Sequence, residues 1–166
     1  MNFARILRHL FTGRLAVRRI FPISSLAAIE QAIKQSEISH EGEVRFAVEA
    51  ALNTLPLLRD QSARDRAVEV FSQLRVWDTE HNNGVLIYLL LADRDVEIIA
   101  DRGINVRVGS EEWERICREM ETAFRQGRFE SGVIAGISAV GSHLQKHFLR
   151  EREGGENELP DTPVIL

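Results

Sequence analysis

A chain of 166 residues with 44% apolar and 28% charged residues has ordinary globular composition and can bury one domain-sized core. Of the formal charge of −4, the first 22 residues hold +5 and the remainder −9, so the body repels phosphate backbones and no nucleic-acid partner is expected. Cys117 is the only cysteine, which excludes an intrachain disulfide, and no apolar run reaches the roughly 18 residues of a membrane span.

The leader carries Arg5, Arg8, Arg14, Arg18 and Arg19 without an acid, and Arg8, His9 and Arg14 break every stretch that could serve as a signal-peptide core. No signal peptide is expected, and the expected location is cytoplasmic, with peripheral membrane contact through residues 1–22 as the variant. Phe3, Ile6, Leu7, Leu10 and Phe11 recur at helical spacing on one face, and Gly13 ends the helix. Two readings are open: the stripe folds back on the domain's own core, or it meets a membrane surface or a partner.

Pro22, Ser24 and Ser25 introduce a second helix whose buried stripe is Leu26, Ile29 and Ile33, with its acids and amides facing water. In EVRFAVE, Val44, Phe46 and Val48 alternate with Glu43, Arg45, Ala47 and Glu49, the pattern of a strand with one wet face. Pro56 blocks its continuation. Ser62 and Asp65 form a capping-box start for a helix whose apolar face is Ala67, Val70, Phe71 and Leu74, ending near Trp77. The continuously apolar Val85–Leu91 then reads as a central strand; if it shares a sheet in parallel with residues 43–49, the intervening helix crosses over right-handedly and makes a βαβ unit.

Ala92-Asp93-Arg94-Asp95 reads as the turn into Val96–Ala100, an antiparallel hairpin. A turn centred on residues 93 and 94 sets Leu86 opposite Asp101 and Gly84 opposite Gly103. Ser110 is expected to cap a helix with the stripe Trp113, Ile116, Cys117, Met120 and Phe124, closed by Gly127. In the last helix, from about Phe129 to Leu149, Gly132, Ala135, Gly136 and Ala139 leave a smooth face expected to lie on the sheet. Residues 151–166 read as an acidic mobile tail, giving a division into a leader (1–22), an α/β domain (23–150) and a tail.

The hairpin geometry gathers Asp78, Glu80, His81, Asn82 and Asn83 beside Asp101 and Arg102 at the sheet end away from the turn. Oxygen donors from Glu80, Asn82 and Asp101 suit a hard cation such as calcium or magnesium, which could orient a phosphate or a water. The competing reading is turn chemistry at Asn82-Asn83-Gly84 and Asp101-Arg102-Gly103 with solvated side chains. His143 and His147 stand four apart on a helix but lack the glutamate of a zinc-protease helix, and Cys117 lies in an apolar stripe without a basic neighbour in sequence. No nucleophile elbow, phosphate-cradling loop or dinucleotide fingerprint occurs.

The stretch NNGVLIYLLLADRDVEIIADRGI, with W-x(2)-I at Trp113–Ile116, FRQGRFESGVIAGI at Phe124–Ile137 and HLQKHF at His143–Phe148, resembles the TPM-domain family over roughly Ser25 to Phe148. The resemblance implies a three-layer α/β/α sandwich with a mixed parallel and antiparallel sheet. It also implies divalent-cation binding and, for some relatives, phosphatase activity, others being assembly or regulatory factors. Typical relatives carry an Asp-containing segment where this chain has Phe21-Pro22-Ile23-Ser24, and often a glycine-rich turn where it has Ala100-Asp101-Arg102-Gly103. No family ligand therefore maps onto the chain beyond Asn82, Asn83 and the neighbourhood of Asp101.

Two functions follow as expectations. The first is a binding, assembly or regulatory module with a protein partner, and with membrane-surface contact through residues 1–22. The second is a metal-assisted phosphatase acting on phosphate monoesters, with Glu80, Asn82 and Asp101 on the cation, Arg102 steadying phosphate charge and His81 as proton donor. A calcium ion acting only as a structural staple is a third.

Overall fold

The computed structural model describes residues 3–150 and 157–166. Its elements are helices α1 (Phe3–Phe11), α2 (Arg14–Ile20) and α3 (Ile23–Glu37), strand β1 (Glu43–Glu49), helices α4 (Thr54–Leu58) and α5 (Ala63–Gln73), strands β2 (Gly84–Leu90) and β3 (Asp95–Ala100), helices α6 (Arg102–Asn105), α7 (Ser110–Arg125) and α8 (Phe129–His147), and strand β4 (Val164–Ile165). The sheet order is β3-β2-β1-β4, with β1 parallel to β2 and β4 and β2 antiparallel to β3. This is an α/β sandwich around a mixed sheet.

Period-two alternation decides which core each strand residue enters. Val44, Phe46, Val48, Val85, Ile87 and Leu89 pack with α3, α7 and α8, while Ala47, Leu86, Tyr88 and Leu90 pack with α5 on the other face. The capping box forms as read: the Ser62 hydroxyl accepts from Asp65 N–H, and the Asp65 carboxylate accepts from Ser62 N–H. At the open edge of the sheet, Arg64 Nη1 donates to the Ile98 carbonyl at 2.7 Å, so a charged side chain occupies a position that an added strand would need.

Several expectations change. The alternate face of β1 is not wet: every residue of the strand is buried, including Glu43, Arg45 and Glu49. The cause is a second layer over that face, in which Arg66 of α5 clamps Glu49 at 2.8 and 3.2 Å and Tyr88 Oη donates to Glu49 at 2.6 Å. Residues 157–166 complete that cover, with Val164 and Ile165 pairing with Ala47 and Val48 and Leu159 buried in the α5-side core. Over those residues the expected mobile tail is instead a strap, because its terminal Val-Ile-Leu finds an unpaired strand edge; residues 151–156 lie outside the described residues.

The smooth face of α8 meets helices, not the sheet. A Cβ at Gly136 would lie 2.3 Å from Met120 Sδ of α7, and one at Gly141 would lie 2.0 Å from Ser36 Oγ of α3. Gly109 caps α7 in place of Ser110, which becomes its first residue.

The leader helix does fold back on the domain, but by its polar side. Arg5 Nε and Arg8 Nη2 donate to Asp93 at 2.8 and 3.0 Å, His9 Nε2 lies 3.1 Å from Asp93, and His9 Nδ1 accepts from Leu52 N–H at 3.0 Å. Of the expected apolar stripe Ile6 packs against the α5-side core, while Phe3, Leu7, Leu10 and Phe11 are turned outward and exposed. One strong anchor explains the inversion: Asp93 is nearly buried at the mouth of the hairpin turn and needs counter-charge.

The hairpin register differs by two residues from expectation. Val85 pairs with Ala100 and Leu90 with Asp95, because the turn is the four-residue Leu91–Arg94 with Arg94 in the left-handed region at φ 52°. A slip of two preserves which face each side chain enters. Asp101 N–H donates to the Gly84 carbonyl at 2.9 Å, so the polar ends still meet. Gly103 lies against the 81–82 backbone, where a Cβ would come within 2.4 Å of the His81 carbonyl and 2.6 Å of that of Asn82. Gly103→Ala should destabilise the protein by on the order of 2 kcal/mol in urea unfolding. Gly109→Ala, whose Cβ meets nothing within 4 Å, should leave it nearly unchanged.

Candidate functional site

The sheet end that carries Gly84 also carries the start of β1, and the chemistry there comes from residues that the sequence pattern treats as solvated. Glu37 ends α3, Glu43 opens β1, and Asp161 arrives from the strap. Each offers an oxygen, and the three oxygens lie within 4.8 Å of one another. Glu37 accepts from Val44 N–H at 2.8 Å, and Glu43 accepts from Glu158 and Leu159 N–H at 3.1 and 3.2 Å. Asn157 Nδ2 holds Asp161 at 2.9 Å, and a small cleft between Lys34, Ile38, Arg150 and Asn157 opens onto Glu37 and Asp161.

Burial and the neighbouring Glu43 charge push the Glu37 carboxyl up to about 9, against the Val44 N–H bond that favours its ionised form. Burial likewise raises Glu43, and the strap's backbone N–H groups oppose that rise. Arg45, 6% exposed, sits among Asp161, Glu37 and Glu43, yet its Nε and Nη1 have no hydrogen-bond partner among the described residues. Three carboxylates with an arginine whose buried N–H groups lack acceptors form an incomplete polar network.

The residues singled out from sequence lie at the same sheet end but serve other partners. Asp78 pairs with Arg75 at 2.6 Å, and Glu80 presents its N–H to Glu158 at 2.8 Å. His81 Nε2 stands 3.6 Å from Glu41, and Asn82 takes a left-handed conformation at φ 51° while its carbonyl accepts from Ile104 N–H. Asn83 is fully buried and donates to the Glu41 carbonyl at 3.1 Å. Asp101 caps α6 by accepting from Arg102 N–H at 2.7 Å, its other oxygen is buried without a partner, and Arg102 is exposed. Backbones converge here, but the acidic side chains do not collect in one place.

A profile of the TPM domain matches residues 19–143. The chain belongs to the TPM-domain family. Among solved structures, the TPM chain is similar to the BA42 protein of the psychrophilic bacterium Bizionia argentinensis, with 31% identity over 86% of this chain and 92% of that one and a TM-score of 0.71. It is also similar in fold to the N-terminal domain of a protein from P. gingivalis, with 20% identity over 80% of this chain and 83% of that one and a TM-score of 0.62. Comparison with curated proteins gives no match.

Other reactive groups of this TPM domain are held in structural roles. Burial pushes the Cys117 thiol up to about 12, away from a nucleophilic thiolate. His143 packs edge-on against Trp113 and lies 3.6 Å from Glu112. Only Glu37, Glu43 and Asp161, among the described residues, form a group suited to a metal ion. Sequence could have flagged Glu43, a charge opening a strand directly after Gly42, but offered no signal linking it to Asp161 across more than a hundred residues.

The Glu37 shift fixes a pH dependence. Below its unfolded value near 4.5 both states hold the proton, so the folded state keeps its full contribution; above that the unfolded chain loses the proton first, and stability falls as pH rises toward about 9. With a chelator present, the melting temperature of the wild type should decline across that window. Glu37→Gln, which keeps an acceptor for Val44 N–H, should flatten the profile and melt about 5 °C higher at its alkaline end.

Proposed function

We propose that this TPM domain is a cation-responsive binding module, in which a divalent cation held by Glu37, Glu43 and Asp161 fastens the C-terminal strap across β1. The observation that carries the reading is the convergence of those carboxylates from three separate segments around the buried, incompletely bonded Arg45. An all-oxygen donor set suits calcium or magnesium. Once the ion displaces the Glu37 proton, the three carboxylates and Arg45 hold a net −2, which one divalent cation balances. Water carried by the ion offers oxygen to the bare Arg45 N–H groups, as hard cations keep part of their hydration.

The strap gives the module its switch. β4 covers the outer edge of β1, and an uncovered central strand is a template for an added strand from a protein partner. Cation loss leaves buried carboxylates facing one another and loosens that cover. Binding of the ion therefore governs whether a protein partner can pair with β1.

Calcium and magnesium titrations followed by thermal melting test this directly. A saturating cation should raise the melting temperature by roughly 5 °C relative to chelator, since only the folded state assembles the three ligands. Glu43→Gln and Asp161→Asn should each abolish the increment. A melting temperature indifferent to both cations and to chelator would overturn the reading.

One observation supports the alternative, a metal-assisted phosphatase using Glu80, Asn82 and Asp101 with Arg102 and His81: the buried Asp101 Oδ2 lacks a partner. The name of the matching family profile points the same way. Against it, none of the described side chains there pairs a nucleophile with a base. Hydrolysis of an aryl phosphate that survives repurification and vanishes in Asp101→Ala would favour it.

A further inference from the structure

The outward stripe of α1 is an apolar face that the described residues leave uncovered. Phe3, Leu10 and Phe11 are 71%, 65% and 84% exposed, and Leu15 at the start of α2 is 79% exposed. A helix that turns this face to water while its polar side is tied to Asp93 has been fixed in orientation, not left loose. Between α1, α2 and the hairpin turn lies an open cleft of about 810 Å³, lined by Leu7, Phe11, Ala16, Ile20 and Leu91 with Arg8 and Arg94 beside them.

Charge selects the occupant. Arg14, Arg18 and Arg19 of α2 are exposed, no acid occurs in the first 22 residues, and Asp93, the one acid lining the cleft, is already paired with Arg5 and Arg8. The remainder of the chain is strongly acidic, so an anionic surface attracts this face and repels the rest, which sets a single orientation. A second copy of the chain would set like-charged arginines against one another. None of the described helices is long and apolar enough to cross a membrane, so contact is interfacial.

We propose that α1 and α2 form a docking face for an anionic phospholipid bilayer, with Phe3, Leu7, Leu10 and Phe11 lying among the headgroups and Arg14, Arg18 and Arg19 meeting lipid phosphate. The inference is independent of the cation site: it uses the opposite end of the sheet, and its readout does not require divalent ions.

Cosedimentation of the full chain with vesicles of phosphatidylcholine, with and without phosphatidylserine, tests it in chelator. Binding is expected to the anionic vesicles only, and to weaken as salt rises. The exposed double variants Leu10→Asp/Phe11→Asp and Arg18→Glu/Arg19→Glu should each lower vesicle affinity at least tenfold with unchanged thermal melts. Failure to sediment with anionic vesicles, or sedimentation that neither variant reduces, would overturn the proposal. So would a concentration-dependent dimer that Leu10→Asp/Phe11→Asp dissociates, which would assign the stripe to a second copy.

Discussion

The structure depends on burying the charged side of β1. Glu43, Arg45 and Glu49 project from one face of a central strand, and each lies beneath the second layer of the sandwich. Ions removed from water destabilise a fold by several kcal/mol unless charge and hydrogen bonds replace the lost solvation. The two ends of β1 solve this differently. At the far end the Glu49 carboxylate receives Arg66 in two bonds and the Tyr88 hydroxyl, whose own ionisation is suppressed by burial and by the Glu49 charge. At the near end Glu43 receives only backbone N–H groups from a strap distant in sequence, with another carboxyl beside it.

That difference explains why the strap exists. An acidic segment containing Glu158 and Asp161 would ordinarily stay in water, yet its backbone N–H groups are the donors that Glu43 needs, and Leu159, Val164 and Leu166 give it apolar purchase on the α5 side. Pro160 and Pro163 reduce what the segment loses in backbone freedom on docking. The same contact brings Asp161 toward Glu37, so the strap supplies donors to one acid and a like charge to another. The strap is thus held by opposing terms.

Much of the frame was legible because periodicity reports directly on local geometry. Ser62 with Asp65 fixes the start of α5, the apolar run beginning at Val85 fixes a strand covered on both faces, and the order strand, helix, strand fits the parallel pairing that β1 and β2 adopt. Alternation in EVRFAVE correctly sorted Val44, Phe46 and Val48 from Glu43, Arg45 and Glu49. It could not say what covers the second set, because a polar face reads identically whether water or a compensating layer lies over it. For the same reason Glu37 reads as a solvated helix end, and α1 reads as packing through its leucines when Asp93 holds its arginines. A turn of the expected length placed one residue earlier set the two-residue error in register, and that error moved Asp101 from a strand partner of Leu86 to a helix cap.

In open α/β sheets, ligands usually gather outside the carboxyl ends of the parallel strands. Here α1 occupies that end beside the hairpin turn. Arg5, Arg8 and His9 gather around Asp93, and burial of its carboxyl is outweighed by these partners, which hold it below its usual range. Glu49, Arg66 and Tyr88 leave no bare acceptor beside them. At the amino end Arg45 keeps buried donors without acceptors among the described residues, and Glu37 keeps a proton at neutral pH. A cationic helix at that end thus does two things at once: it pairs the Asp93 carboxylate, and it turns the apolar side of the helix outward. The chain is left with buried carboxyls and an arginine at one end of its sheet and an exposed apolar helix face at the other.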